Sequence, residues 1–236
     1  MRQALFVADS IGVSVGSKRI VSEATFRARP GKVTLLMGRN GSGKTTLLRA
    51  ALGLCSMDQG LVRFASEVFL QPRLSTFARS GLYFLPTEGS LSRGLTLRWH
   101  LRAMEKELGV SDIQALTERL GLPSFMAHTP FKMSGGEERK AELLLAMARH
   151  PTCLLADEPL NGIAPKDQEV VAKAIRDLAH SGAAIVVTGH EVTALLELSD
   201  EVIWMAGGTT LPLGTPIDAM AHDQFRREYL GAGDDE

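Results

Sequence analysis

The feature that most constrains this chain is the stretch Gly38, Arg39, Asn40, Gly41, Ser42, Gly43, Lys44, Thr45 and Thr46, set between the apolar run Val33–Met37 and the apolar stretch that begins at Leu47. These flanks predict a buried strand, a glycine-rich turn and a helix opening at Lys44. Glycines let the backbone bend until successive N–H groups point inward. The new helix adds its unpaired N-terminal donors and the positive end of its dipole. A polyphosphate fits such a bend. Lys44 then reaches the β and γ phosphates, and the Thr45 hydroxyl ligates a Mg²⁺ held between them.

A chain of 236 residues is long enough to bury a sizeable core, as one large α/β domain or one domain with an inserted lobe. Its 26 Lys and Arg against 27 Asp and Glu give no bulk electrostatic case for nucleic acid or for an anionic membrane surface, so no nucleic-acid partner is expected. Cys55 and Cys153 lack metal-ligand spacing, which favours a reduced, cytoplasmic protein with buried thiols. No segment approaches the roughly eighteen consecutive apolar residues that cross a bilayer, and the N-terminus lacks a charged start followed by an apolar core and a cleavage site. Any membrane role is therefore expected to come through a partner.

Short apolar stretches at 4–7, 11–15, 19–21 and 24–26 predict an antiparallel β portion feeding the strand before the glycine loop. A helix over 44–54 follows, then short strands at 60–64, 68–70 and 81–85. From about 96 the pattern turns helical: Leu97, Leu101, Met104 and Leu108, then Ile113, Leu116 and Leu120, with no convincing strand until 152. The expected layout is one domain over 1–236, with 1–90 and 151–236 as the α/β core and 91–150 as a helical lobe inserted into it. Beyond 151 the order strand, helix, strand, helix, strand predicts a mostly parallel sheet covered by helices.

Asp157 and Glu158 stand where a wholly apolar strand meets a turn, the edge at which open α/β sheets bind ligands. An acidic pair there is costly unless something pairs with it. The pattern gives Asp157 the Mg²⁺, through water, and makes Glu158 the base or polariser of an attacking water. Ser134, Gly135, Gly136 and Glu137 taken alone read as a capped helix start. His190, standing alone after a strand end, reads as an ordinary surface or core histidine.

In combination these blocks resemble the ATP-binding subunit of the ATP-binding-cassette (ABC) transporter family, a P-loop NTPase. The likeness is carried by GRNGSGKTT at 38–46, MSGGEERKAELLLAMARHP at 133–151, CLLADEP at 153–159 and TGHE at 188–191. Within the family, the segment 85–101 and the tail from GTPIDAM to REYLG look most like the branch of lipopolysaccharide-exporter and branched-chain amino-acid-importer ATPases. The resemblance implies ATP as ligand and two subunits, identical or not, facing head to tail. Each ATP then lies between the phosphate loop of one and Ser134–Glu137 of the other, with His190 touching the γ-phosphate in its own subunit. It also implies integral membrane subunits, which hold the protein at the inner face of the cell membrane and receive its work in the groove between 82–99 and the helical lobe.

Three family residues are missing. Val15 stands where an aromatic ring stacks on adenine, and Ala164 where an aspartate crosses the interface. Thr87 stands where a glutamine links Mg²⁺ and the lytic water to the membrane subunit; either Glu88 reaches in its place or the correspondence slips by one residue. Lys44, Asp157, Glu158 and His190 remain, so ATP hydrolysis is expected to persist, at a lowered rate. The competing readings are a nucleotide-switched regulatory or structural module with low turnover, and a soluble family member outside transport.

Overall fold

The computed structural model describes residues 3–87, 89–108, 113–190 and 192–229. The chain opens with two long paired strands, β1 (Phe6–Val15) and β2 (Lys18–Ala28), rather than four short ones. Register shifts along the pair, with Ser10 and Glu23 at φ 53° and 54°, absorb the irregular spacing as bulges and keep the strands joined. Next come β3 (Val33–Met37), α1 (Lys44–Ala51), β4 (Gln59–Phe64), β5 (Glu67–Phe69), α2 (Leu74–Arg79) and β6 (Leu82–Leu85). The helical stretch follows, with α3 (Leu97–Leu108), α4 (Ile113–Arg119) and α5 (Gly135–Ala148). The remainder runs β7 (Cys153–Ala156), α6 (Pro165–His180), β8 (Ala184–Gly189), α7 (Val192–Leu198), β9 (Glu201–Ala206), β10 (Thr209–Gly214), α8 (Pro216–Ala221) and α9 (Asp223–Tyr229).

The strands form two sheets. One is antiparallel, ordered β2-β1-β4-β5; the other is ordered β10-β9-β3-β8-β7-β6 and is parallel except for β10. Strands β3, β7 and β8 are buried along their whole length because both faces of the large sheet are covered. Alternation along each strand then divides the core in two. Val33, Leu35, Met37, Leu154, Ala156, Ile185 and Val187 face the side packed by α5, α6 and α7. Leu36, Cys153, Leu155, Ala184 and Val186 face the antiparallel sheet and α1, beside a cluster of Phe6, Phe26, Phe64 and Phe77 rings.

Among the described residues, α2, β10, α8 and α9 lie outside the sequence expectation. Helix α2 has six residues and buries only Phe77, too little for a periodic signal. Strand β10 contains Pro212, which suits the edge position it takes. The first helix ends at Ala51, and its cap residue Leu52 precedes Gly53 at φ 70°. Cys153 is buried, as expected, and burial pushes its thiol up; Cys55 is only half-buried, and both are free. No helix among the described residues is long and apolar enough to cross a membrane.

Candidate active site

Neighbouring parallel strands β3, β8, β7 and β6 place their carboxyl ends side by side, so residues far apart in sequence meet at one edge of the sheet. Met37 pairs with Gly189 and Ala156 with both Val187 and Leu85. One residue further along these strands stand Gly38, His190, Asp157 and Pro86, and Thr87 follows.

The loop 38–46 wraps its own lysine. Lys44 is 4 % exposed, and its ammonium donates to the carbonyls of Gly38 at 2.7 Å and Arg39 at 3.2 Å. Glu158 Oε1 lies 3.7 Å from it. Burial lowers the Lys44 pKa, against the opposing pull of Glu158 and Asp157. Gly43, at φ 106°, turns the chain into α1, and a side chain on Gly38 would run into Ser42 and the Met205 carbonyl. Asn40, Gly41, Gly43, Lys44, Thr45, Thr46, Glu158 and Ile20 line a cavity of roughly 300 Å³. Arg39 and Thr45 are exposed.

Asp157 is 1 % exposed, and both its carboxylate oxygens accept hydroxyl hydrogens: Oδ2 from Thr87 at 2.8 Å and Oδ1 from Thr188 at 2.6 Å. The Thr188 hydroxyl in turn accepts the Glu158 N–H at 2.9 Å. Glu158 sits at φ 47°, so the chain turns sharply and sends the two carboxylates in different directions. Glu158 Oε2 accepts from Asn161 at 2.9 Å, while its other oxygen faces Lys44 and, at 3.7 Å, His190 Nδ1.

These groups fit a triphosphate with its magnesium. Ser42 Oγ and His190 Nδ1 are buried without a hydrogen bond among the described residues, and both belong to the edge where phosphate oxygens would lie. No group of three or more His, Cys, Asp or Glu side chains among the described residues gathers as a metal cage. A cation that takes one hydroxyl, one carboxylate, phosphate oxygens and water needs none.

Ser134–Glu137 stand apart from this cluster and do not line the cavity at Lys44. Ser134 caps α5 in a reciprocal box: its side chain accepts from Glu137 N, and Glu137 accepts from Ser134 N at 2.8 Å. Gly136 is buried against Asp167 of α6, and Asp167 pairs with Lys140 at 2.8 Å. At the three positions of departure, Val15 is 65 % exposed, Thr87 reaches Asp157, and Ala164 caps α6 without a side-chain bond. Glu88, the alternative to Thr87, lies outside the described residues.

The site also contains residues to which the sequence reading gave no individual role. Arg139, 7 % exposed, donates to the carbonyls of Pro86 at 2.8 Å and Thr87 at 2.7 Å, and pairs with Glu142 at 3.0 Å. Glu142, 1 % exposed, accepts from the N–H and hydroxyl of Ser90. Helix α5 is thereby tied to the loop that holds Thr87. Thr188 was findable as the polar residue that interrupts a strand buried throughout.

A model of the ABC transporter family matches residues 21–161. The chain is 29 % identical over 235 residues to the lipopolysaccharide export system ATP-binding protein LptB of Haemophilus influenzae, covering 97 % of this chain and 98 % of that one. It is 30 % identical to the protein of the same name from Acidithiobacillus ferridurans, covering 96 % and 97 %. Its fold matches the ADP conformation of an ATP-binding cassette of an ABC transporter with TM-score 0.83 at 19 % identity, covering 97 % of this chain and 99 % of that one. A bacterial Atm1-family ABC exporter with ATP bound gives TM-score 0.83 at 17 % identity, covering all of this chain and 43 % of the exporter.

Proposed function

Because this chain belongs to the ABC transporter family, we propose that ATP is held and split between the loop 38–46 of one subunit and Ser134–Glu137 of a second. The protein is the ATP-binding, ATP-hydrolysing subunit of such a transporter; it acts as a dimer and powers transport through separate membrane subunits. The cargo pathway lies in those subunits.

In the proposed site, Lys44 and the N–H groups of residues 38–46 bind the phosphates. Thr45 and, through water, Asp157 hold Mg²⁺, which when bound would neutralise charge on the β and γ phosphates. Thr87 and Thr188 orient Asp157. Glu158 takes a proton from the attacking water, and its turned backbone aims it at the same space as Lys44. His190, whose Nδ1 stands 3.7 Å from Glu158 Oε1, steadies the γ-phosphate. Ser134, Gly135, Gly136 and Glu137 close the site from the partner, a reading supported by the lining of the cavity in their own chain, to which they do not contribute.

Residues 1–90 and 151–236 would form the catalytic core and 91–150 the helical unit. The cytoplasmic face of the cell membrane is the location this arrangement requires.

The single observation that carries the reading is the placement of Lys44, buried inside its own loop with Glu158 at 3.7 Å. The test is phosphate release by the full chain with its membrane subunits, wild type against Glu158→Gln. The expected loss is roughly hundredfold or more, with ATP still bound. Equal rates would show that Glu158 is not the base.

A further inference from the structure

At the start of α5, the carboxylate of Asp167 lies flush on the backbone of Gly136. A Cβ added there would stand 2.1 Å from Asp167 Oδ2 and 2.7 Å from its Cγ. Lys140, one turn further along α5, holds Oδ1 at 2.8 Å, with 12 % and 24 % of the two side chains exposed. Asp167 is also the acidic residue in the first turn of α6, whose cap residue Ala164 offers no side-chain acceptor. One carboxylate thus sits at the positive ends of two helices. Ser134 and Glu137 already satisfy each other, so the N–H groups of Gly135 and Gly136 are the donors the first turn leaves free of intrahelical partners. The Asp167 carboxylate against Gly136 is an anion in the neighbourhood where a second anion is to dock.

We propose that Asp167 competes electrostatically with the incoming γ-phosphate at the start of α5, that Lys140 offsets it, and that this ion pair sets the ATP concentration at which two subunits close. The inference rests on the reading that Ser134–Glu137 complete the partner's site. Removing the carboxylate strengthens closure, and removing the ammonium alone weakens it, because an unbalanced negative charge then faces the phosphate.

The test is light scattering of the purified full chain titrated with a non-hydrolysable ATP analogue and Mg²⁺. Asp167→Asn is expected to lower the half-maximal concentration for dimer formation about fivefold, Lys140→Met to raise it about fivefold, and the double variant to return near wild type. Far-ultraviolet circular dichroism checks that each variant folds, and Asp167→Ser replaces Asp167→Asn if that variant does not. If both single variants weaken closure, Asp167 and Lys140 are only a structural clasp and this inference fails while the shared-site reading stands. If the wild type binds the analogue yet never pairs, the shared-site reading fails and carries this one with it.

Discussion

Thr87 is bonded directly to Asp157: its hydroxyl donates to Oδ2 over 2.8 Å, across 70 positions of sequence. With Thr188 on the other oxygen, the carboxylate is fixed in direction by the protein itself. A short hydroxyl in the segment after β6 therefore orients Asp157, the proposed magnesium ligand, where a longer amide could reach the cation.

Thr87→Val removes one of these two donors while keeping the side chain's shape. The magnesium concentration for half-maximal ATP hydrolysis should rise about fivefold to tenfold, in line with the loss of roughly one buried hydrogen bond to a charged group. The KM for ATP should move far less, and Thr87→Ser should stay within about twofold of wild type. A loss of rate unaffected by added magnesium would count against the orienting role.

Glu142 gives a pH signature. Burial pushes its carboxyl above the ordinary value of 4.5, against Ser90 and Arg139, which pull it down. Between the ordinary value and the raised native one, the folded chain holds more protons at this site than the unfolded chain. Stability from Glu142 is therefore present at low pH and is lost as pH rises through that window. The melting temperature of Glu142→Gln relative to wild type should accordingly climb from pH 4.5 upward; a flat difference would refute the assignment. Arg139→Met, by contrast, leaves Glu142 buried without its cation and should cost about 3 kcal/mol by chemical denaturation.

Much of this site was legible in the sequence because its supports are strands buried on both faces. Such strands read as unbroken apolar runs, and the acidic or glycine-rich residues that end them stand out at Gly38 and Asp157. Arg139 and Glu142 were hidden for the opposite reason: charged residues on a helix are ordinarily solvated. A signal did exist, since the run Leu143–Ala148 is apolar on every side, the mark of a helix buried all round. Thr215, Pro216 and Asp218 likewise carried the capping box that opens α8. Helix α2 left no comparable mark.

Val15, the last residue of β1, is 65 % exposed at the position where the family resemblance expects a ring stacked on adenine. Val15→Tyr should tighten ATP binding about twofold to tenfold, the increment expected of a stacked ring. Binding of tripolyphosphate, which has no base, should not change. Isothermal titration with both ligands decides the matter, and equal gains for the two would exclude stacking as the cause.

Leu97 is wholly buried, so a charge placed there would damage the fold and say nothing about a partner. Trp99, 53 % exposed on α3, is the better probe of the predicted groove. Trp99→Glu should reduce co-purification with the membrane subunits at least fivefold while changing stability by less than about 0.5 kcal/mol. Unchanged co-purification would move the contact elsewhere.

The left-handed backbone at Glu158 limits how its chemistry can be dissected. A β-branched replacement would load about 1–2 kcal/mol onto that φ angle and tilt the neighbouring carboxylate, so lost turnover would confound shape with charge. Aspartate, among the side chains that accept this conformation most readily, shortens the arm by one methylene and keeps the charge with little backbone cost. Comparing it with glutamine would tell reach from basicity at a corner the chain can turn in only one way.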